Sequence, residues 1–174
     1  MNALDTYRAL RAIPDPARSL GWASAQTQAI HLRTLVDALP DLTGLTVRDL
    51  GCGHGDAVPL IEARGGHYVG LDALPVDVAR QRWPGRAFVQ RDALAGVLPP
   101  VDFTLLCGTL AYQSDRDARR LLDRAWASSR VGVVFSVWVP LAGGPTWVRE
   151  WASRGRAAIG TRAELQTAYW VVRR

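Results

Sequence analysis

The sequence predicts an α/β protein in which a mostly parallel sheet carries helices on both faces. Two observations support this prediction. After residue 44, short apolar runs alternate with longer amphipathic ones, a pattern typical of strand–helix–strand units. The first of these apolar runs enters a glycine-rich turn, Gly51 to Gly55, and a helix-compatible run follows directly. Parallel strands joined in this way are buried by their crossover helices, so we expect three layers.

The segment before the sheet is predicted to be helical. Helices are expected at residues 2–12 and 24–39, and Pro14 and Pro16 separate them. Ser24 is of the residue type that caps a helix N-terminus. A chain of 174 residues buries one good core and is too short for two ordinary catalytic domains, so residues 1–174 are expected to form a single domain.

The core elements follow in order from residue 44. Strands are predicted near 45–50, 67–71, 86–90, 101–107 and 131–138, and helices near 56–64, 75–83 and 115–128. Ser114 and Asp117 form a capping pattern at the start of the last of these helices. After the fifth strand, the pattern predicts a short helix at 145–154 and strands at 156–160 and 168–174.

The composition limits the setting in which the protein works. No run of eighteen apolar residues occurs and the N-terminus lacks the layout of an export signal, so we expect a cytoplasmic protein without a membrane partner. Cys52 and Cys107 are then expected to be free thiols in a reducing compartment.

All 21 basic residues are arginines and the net charge is +5. This charge is compatible with an anionic partner such as nucleic acid. Biased codon usage is the stronger explanation for a lysine-free chain with scattered arginines. The one local group, Arg116, Arg119, Arg120 and Arg124, alternates with acidic residues and is interpreted as a solvated helix face.

The glycine turn is expected to contact a nucleotide-like ligand, because a backbone without Cβ atoms can approach a ligand closely. A dinucleotide fingerprint would have a third glycine where Asp56 stands, which disfavours NAD or FAD. A phosphate-binding P-loop needs a lysine that this chain lacks. Asp49 and Asp56 would repel a pyrophosphate but accept hydrogen bonds from a cationic or hydroxyl-bearing ligand.

Three motifs in the same order resemble the class I S-adenosylmethionine-dependent methyltransferases. They are Val47 to Asp56 with its Asp-Leu-Gly-Cys-Gly-His-Gly run, Tyr68-Val-Gly-Leu-Asp72, and Phe88-Val-Gln-Arg-Asp92. The resemblance covers roughly residues 44–140. One departure is Arg48, where the family usually has an apolar residue, so Arg48 is expected to pair with a carboxylate or to lie at a less buried position.

The resemblance implies a Rossmann-like methyltransferase fold, a seven-stranded sheet of order 3-2-1-4-5-7-6 with helices on both faces, and S-adenosylmethionine as cofactor. It makes residues 44–174 the Rossmann-like core and residues 1–40 a helical cap in which Trp22 and Gln28 form part of a lid. It implies that Asp72 binds the ribose, that Asp92 and Ala93 address the adenine, and that the glycine turn lines the methionine portion. The residues expected to contact the cofactor are Asp49, Gly51, Cys52, Gly53, Gly55, Asp72, Ala73, Asp92, Ala93 and Cys107.

No residue stands out as a catalytic base. His54 in the glycine turn and Tyr112 after the fourth strand are weak candidates, and both are also explained as lining or packing side chains. A metal site is not expected, because His31 and His67 have no cysteine or acidic partner at ligand spacing.

The sequence therefore predicts a methyltransferase that moves a methyl group directly to an O, N or S atom of a small molecule. Two alternatives remain open: a tRNA or rRNA methyltransferase, and a non-catalytic S-adenosylmethionine-binding module. The signatures of adenine-N6 and cytosine-C5 methyltransferases are missing after strand four. An NAD-dependent oxidoreductase is disfavoured by Asp56.

Overall fold

The computed structural model describes residues 3–138, 146–162 and 166–174. They form a seven-stranded sheet of order β3-β2-β1-β4-β5-β7-β6. The first five strands in this spatial order are parallel, and β7 runs antiparallel to both β5 and β6. The predicted fold class and strand order are confirmed. The strands are β1 Thr46–Leu50, β2 His67–Asp72, β3 Ala87–Gln90, β4 Val101–Leu106, β5 Ser129–Trp138, β6 Arg156–Arg162 and β7 Thr167–Arg173.

The predicted helices are present with shorter bounds. They are α1 Ala3–Leu10, α2 Ala25–Asp37, α3 Val58–Glu62, α4 Asp77–Arg82, α5 Asp115–Ala127 and α6 Thr146–Ala152, with a 3₁₀ helix at Arg18–Leu20. Residue 2 and Pro145, at the starts of two predicted helices, lie outside the described residues. No helix of the described part of the chain is long and apolar enough to cross a bilayer.

Local sequence explains where these helices begin and end. The hydroxyl of Ser24 accepts a hydrogen bond from the backbone N–H of Thr27, and that of Ser114 accepts one from Asp117, so both predicted caps are confirmed. Helix α4 ends at Arg82 because Pro84 and Gly85 follow almost at once. Both caps lie at the start of 13-residue helices, α2 and α5, that cover opposite faces of the sheet.

The sheet separates two apolar layers. One layer contains α2, α3 and α4 and is built around residues such as Leu35, Val47 and Phe103, which are fully buried. The other contains α5 and α6, with Leu122 and Phe135 fully buried. Because both faces are covered, the central strands β1 and β4 are buried along almost their whole length, including the polar residues Arg48 and Thr104.

Arg48 was predicted either to pair with a carboxylate or to lie at a less buried position, and both predictions are wrong. Its side chain is only 2% exposed, and its partners are neutral oxygens rather than a carboxylate. The guanidinium donates to the carbonyl of Pro99 at 2.8 Å, the hydroxyl of Thr104 at 2.7 Å and that of Ser128 at 2.6 Å. Burial lowers the pKa of Arg48 to about 10, so the side chain keeps its charge at neutral pH. The Arg48 side chain thus links β1 to the segment before β4, to β4 itself and to the end of α5.

Candidate functional site

A cavity opens at the carboxyl ends of β1, β2, β3 and β4, the position where open parallel sheets bind ligands. Its empty volume, counted with the solvent at its mouth, is about 1030 Å³. Nine of the ten residues predicted to contact a cofactor line this cavity: Asp49, Gly51, Cys52, Gly53, Asp72, Ala73, Asp92, Ala93 and Cys107. Residues that lie up to 58 positions apart in the sequence therefore meet in one place.

Two acidic side chains are held in the same way at the ends of neighbouring strands. Each begins an Asp-Ala-Leu turn, and the backbone N–H two residues later donates to its own carboxylate: Leu74 to Asp72 at 2.9 Å, and Leu94 to Asp92 at 2.8 Å. Asp72 accepts a second bond, 2.9 Å long, from the backbone N–H of Gly53. Its carboxylate is therefore fixed between the glycine turn and the end of β2.

Asp49 provides a third carboxylate, at the end of β1. The side chain is 4% exposed and accepts a 2.9 Å hydrogen bond from the hydroxyl of Tyr68. Burial raises the pKa of Asp49 to about 7; the negative charges of Asp72 and Asp56 add to the rise, and the Tyr68 hydrogen bond opposes it. A positive charge placed beside Asp49 would favour its ionised form.

The backbone of the glycine turn is closely packed and its donors are in use. The N–H groups of Gly51 and Cys52 both donate to the carbonyl of Leu71, and that of Gly55 donates to Cys52. Gly53 has a φ of +53°, and a Cβ there would lie 2.8 Å from the side chain of Leu20. The side chain of Leu20, in the N-terminal segment, therefore packs directly against the turn.

The N-terminal segment forms the roof of the cavity, as predicted for Trp22 and Gln28. The hydroxyl of Tyr7 donates to the carbonyl of Gly108 at 3.1 Å, which fastens α1 to the loop after β4. A Cβ on Gly108 would lie 2.8 Å from the ring of Trp22. Gln28 also lines the cavity and donates to Asp56 at 2.9 Å.

Sequence reasoning missed several side chains that the fold brings to this cavity. They come from the N-terminal segment and from the loop after β4: Leu4, Tyr7, Arg11, Leu20, Thr109 and Gln113. Arg11 lies 3.8 Å from Asp72, in a contact that spans 61 positions in the sequence. Leu4 and Tyr7 are three positions apart and share one face of α1, but nothing in the sequence indicates which part of the core that face contacts.

The structure does not place the two weak catalytic candidates in the main cavity. His54 is 8% exposed and lines a neighbouring cleft with Arg11, Asp56 and Arg82. Burial and the nearby Arg11 charge lower the pKa of His54, so its ring is neutral at neutral pH. Tyr112 is 43% exposed and its ring meets that of Tyr7 edge-on at 5.1 Å.

The remaining predicted positions have clear local environments. Gly55 lies outside the cavity lining and its missing Cβ makes room for Trp83 and Phe88. Cys52 and Cys107 are free thiols whose pKa is raised by burial, so neither is a thiolate at neutral pH. Within the described residues, no three His, Cys, Asp or Glu side chains converge as metal ligands would.

No protein-family model matches the chain. One curated relative, a magnesium-protoporphyrin O-methyltransferase of Rhodobacter capsulatus, is 30% identical over 117 residues, which cover 63% of this chain and 51% of the relative. The chain thus spans about half the length of the curated relative that it matches.

Solved structures match over nearly the whole chain. An N-methyltransferase, NodS, from Bradyrhizobium japonicum with bound S-adenosylhomocysteine has a TM-score of 0.72 at 16% identity, covering 99% of this chain and 98% of its own. The magnesium protoporphyrin IX methyltransferase of Synechocystis with bound S-adenosylmethionine has a TM-score of 0.68 at 19% identity, covering 98% and 90%. Human N-acetylserotonin methyltransferase has a TM-score of 0.75 at 17% identity, covering 100% and 60%. The chain therefore has the fold of the class I S-adenosylmethionine-dependent methyltransferases, and the fold that its sequence motifs implied is confirmed.

Proposed function

We propose that the protein is an S-adenosylmethionine-dependent methyltransferase that acts on O, N or S of a small molecule. The observation that carries this proposal is the pair of oriented carboxylates, Asp72 and Asp92, in one cavity with the glycine turn. The methyltransferase relatives give independent support, since several were crystallised with this cofactor or its product.

The residues that line the cavity suit an adenosyl group in polarity. Asp72 is held by two backbone N–H groups and keeps lone pairs that can accept both ribose hydroxyls. Asp92 and the adjoining Ala93 are assigned to the adenine edge, and Leu94 and Leu121 supply apolar walls for the ring.

Asp49 and the glycine turn are assigned to the methionine end of the cofactor. Its ammonium and sulfonium groups are cationic, and a buried carboxylate beside them would be stabilised in its ionised form. Tyr68 holds that carboxylate in place through a 2.9 Å bond. Ala73, Cys52 and Cys107 present small side chains to the same space, where a bulky group would exclude the ligand.

Bound S-adenosylmethionine would supply a methyl group already activated by the positive charge on sulfur. The chain then has to align the acceptor with that methyl and exclude water, so it needs no strong base. Leu20 and Trp22 close over the turn and over Gly108, which suits this shielding task. Tyr112 and His54 remain candidates for contacts with the acceptor from the edges of the site.

A small-molecule acceptor is favoured over RNA by the charges around the cavity. Two arginines near it are paired with acidic groups: Arg82 of the neighbouring cleft with Asp56, and Arg11 with Asp72 at 3.8 Å. A backbone of phosphates would have to break these pairs. The relatives with named substrates in these comparisons act on small molecules, including magnesium protoporphyrin and N-acetylserotonin.

The domain assignment and the location belong to the same proposal. We assign residues 1–40 to a cap and 44–174 to the core of one methyltransferase domain; the hydrogen bond from Tyr7 to Gly108 supports this, because it joins the two parts across the site. The free thiols of Cys52 and Cys107 support a cytoplasmic setting. The non-catalytic alternative is excluded if the protein transfers a methyl group to any acceptor.

Titration calorimetry with S-adenosylhomocysteine tests the proposal. We expect saturable binding to the wild-type protein and a loss of about 10- to 100-fold in affinity for Asp72→Asn, because each hydrogen bond to a charged group contributes about 1.5–3 kcal/mol. Asp37→Ala, an exposed change at the end of α2, serves as the matched control. Unchanged affinity in the Asp72 variant would remove the ribose assignment, and absence of binding to the wild-type protein would refute the function.

A further inference from the structure

We propose that Arg11 binds the carboxylate of the cofactor's methionine portion and exchanges partners with Asp72 when the cofactor enters. This inference rests on the function proposed above and assigns a residue that the sequence motifs leave out. It identifies the N-terminal segment as a ligand-binding element as well as a roof.

The position of Arg11 fits this role. It follows α1 directly, and its backbone N–H donates to the carbonyl of Tyr7, the residue that fastens this helix to the loop after β4. Its side chain is 21% exposed and lines both the main cavity and the cleft that contains His54. The guanidinium therefore lies beside the ribose acid, on the side of the cavity where the glycine turn is found.

The charge balance of the cavity requires such a cation. Three carboxylates, those of Asp49, Asp56 and Asp72, lie close together in the cavity beside the glycine turn. They suit the ammonium and sulfonium groups but repel the carboxylate of the same ligand. Among the described residues that line this cavity, the cations are Arg11 and Arg91. Arg91 follows β3 and donates to the carbonyl of Val97, which keeps it near the adenine end.

The glycine N–H groups of the turn are not free to replace Arg11 as the donor. In many nucleotide sites, free backbone N–H groups of such a turn bind the anion. Here the N–H groups of Gly51, Cys52 and Gly55 donate to backbone carbonyls, and that of Gly53 donates to Asp72. The side-chain amide of Gln28 is also engaged, with Asp56. These donors are therefore engaged, and Arg11 supplies a cationic side-chain donor beside Asp72, the partner of Gly53.

The contact between Arg11 and Asp72 leaves room for an exchange of partners. At 3.8 Å it is an ion pair without a direct hydrogen bond, so the five N–H donors of the guanidinium are not committed to that carboxylate. Ribose hydroxyls that bind Asp72 would compete for its lone pairs. The guanidinium can then turn on its flexible stem toward the ligand carboxylate, whose two oxygens match its planar fork.

Calorimetry with two ligands isolates this contact. The probes are S-adenosylhomocysteine and its carboxamide, which keeps the ammonium and the adenosyl group but has no carboxylate. We expect Arg11→Met to weaken binding of S-adenosylhomocysteine by about 10- to 100-fold and binding of the carboxamide by less than about threefold. Arg11→Lys should retain an intermediate affinity, because it keeps the charge without the fork.

Arg8→Met is the matched control, since Arg8 lies one turn earlier on α1, is 62% exposed and pairs with Asp5 outside the cavity. Both ligands should bind this variant as they bind the wild-type protein. An equal loss for both ligands in Arg11→Met would overturn the inference and reduce Arg11 to a roof contact, as would no loss at all. If S-adenosylhomocysteine fails to bind the wild-type protein, the proposed function falls together with the inference.

Discussion

The ionisation of a single carboxyl group, Asp49, links the stability of this protein to its ligand. Its pKa is raised by burial to about 7, above the ordinary value of 3.8. A group with a raised acidic pKa binds its proton more tightly in the folded state. The free energy of unfolding therefore rises as the pH falls from about 7 toward 4. Above pH 7 the ionised Asp49 lowers the free energy of unfolding of the ligand-free protein to the full extent. A cationic ligand bound beside it would offset this loss.

We expect Asp49→Asn to have opposite effects on stability and on binding. Without the buried charge, the ligand-free variant should be more stable than the wild-type protein at pH 8 by about 1 kcal/mol or more, a rise in Tm of about 2–4 °C, and this advantage should disappear near pH 4. Its affinity for S-adenosylhomocysteine should fall, because the ammonium loses its counter-charge. Urea unfolding at pH 8 and pH 5, followed by calorimetry, measures both.

The wild-type protein is the internal reference for this pH dependence, because every other titrating group is shared between the two chains. A stability difference that stays constant between pH 5 and pH 8 would show that Asp49 does not titrate in this range. A variant that binds the ligand as tightly as the wild-type protein would separate Asp49 from the methionine end of the site.

Single residues also show what sequence can and cannot reveal about the site. Asp72 and Asp92 were predicted from the family motifs and from their positions at the ends of the second and third strands. In the structure an Asp-Ala-Leu turn fixes each carboxylate locally. Arg11 was missed because its position depends on how α1 docks, a long-range contact without a local signature. The prediction for Arg48 was wrong because it considered only carboxylates as partners, whereas strand and helix ends beneath the sheet supply carbonyl and hydroxyl oxygens.

Among the secondary-structure elements, the N-terminal segment depends on few contacts with the core. Within the described residues, α1 has no buried side chain, although α2 contributes four to the core. Its attachment to the loop after β4 uses the bond from Tyr7 to Gly108 and the ring contact with Tyr112. Segments with few buried apolar contacts open more easily than the core. Helix α1 is therefore suited to open for ligand exchange.

We expect Tyr7→Phe to increase the opening of α1 without unfolding the core. The variant keeps the ring and loses one hydrogen bond, which contributes about 1 kcal/mol, so amide exchange in residues 3–10 should accelerate about fivefold while exchange in β1 and β4 stays unchanged. Hydrogen exchange followed by mass spectrometry measures both regions.

Tyr112→Phe is the matched control for this experiment, because it preserves the same ring pair and leaves the bond from Tyr7 intact. Its exchange in residues 3–10 should match that of the wild-type protein. Equal acceleration in the two variants, or none in Tyr7→Phe, would mean that the hydrogen bond to Gly108 is not what holds α1 in place.

The strands were easier to predict than the helices, for a physical reason. Strand bounds agree within about two residues because each apolar run must end where the buried layer ends. Helix α3 is only Val58–Glu62, whereas a helix at 56–64 was predicted. Amphipathic spacing does not reveal that residues 51–57, before the helix, form turns. Nor does it reveal that Gly65 and Gly66, after the helix, prevent it from continuing.

For the molecule as a whole, charge is divided unevenly along the chain. Residues 115–174 contain 11 arginines and 5 acidic residues, a net charge of +6, and residues 1–114 contain 10 and 11, a net charge of −1. Arg130, Arg156 and Arg173 lie at strand ends. These strand ends are at the end of the sheet opposite the cavity. These three arginines are therefore remote from the proposed site.

Much of this surplus has a packing role. Four arginines of the C-terminal third lie over tryptophan rings at 4.4 to 5.9 Å from the ring centres, namely Arg119, Arg149, Arg154 and Arg174. Arg154 also pairs with Asp123 at 2.6 Å. Guanidinium groups used in this way cover apolar surface, so an arginine-rich composition does not by itself indicate a nucleic-acid partner.

We therefore expect weak binding to RNA that shows little dependence on salt. A site with six to ten phosphate contacts loses about 10³- to 10⁵-fold in affinity between 50 and 200 mM salt, whereas we expect a loss of no more than about tenfold, equivalent to roughly two contacts. Fluorescence anisotropy with labelled poly(U) and with total tRNA measures this slope. In the same titration, saturating S-adenosylhomocysteine should leave the RNA affinity unchanged, because Arg130, Arg156 and Arg173 lie at the end of the sheet opposite the cavity. A steep slope, or competition between tRNA and S-adenosylhomocysteine, would reverse the preference for a small-molecule acceptor and place RNA at the mouth of the cavity.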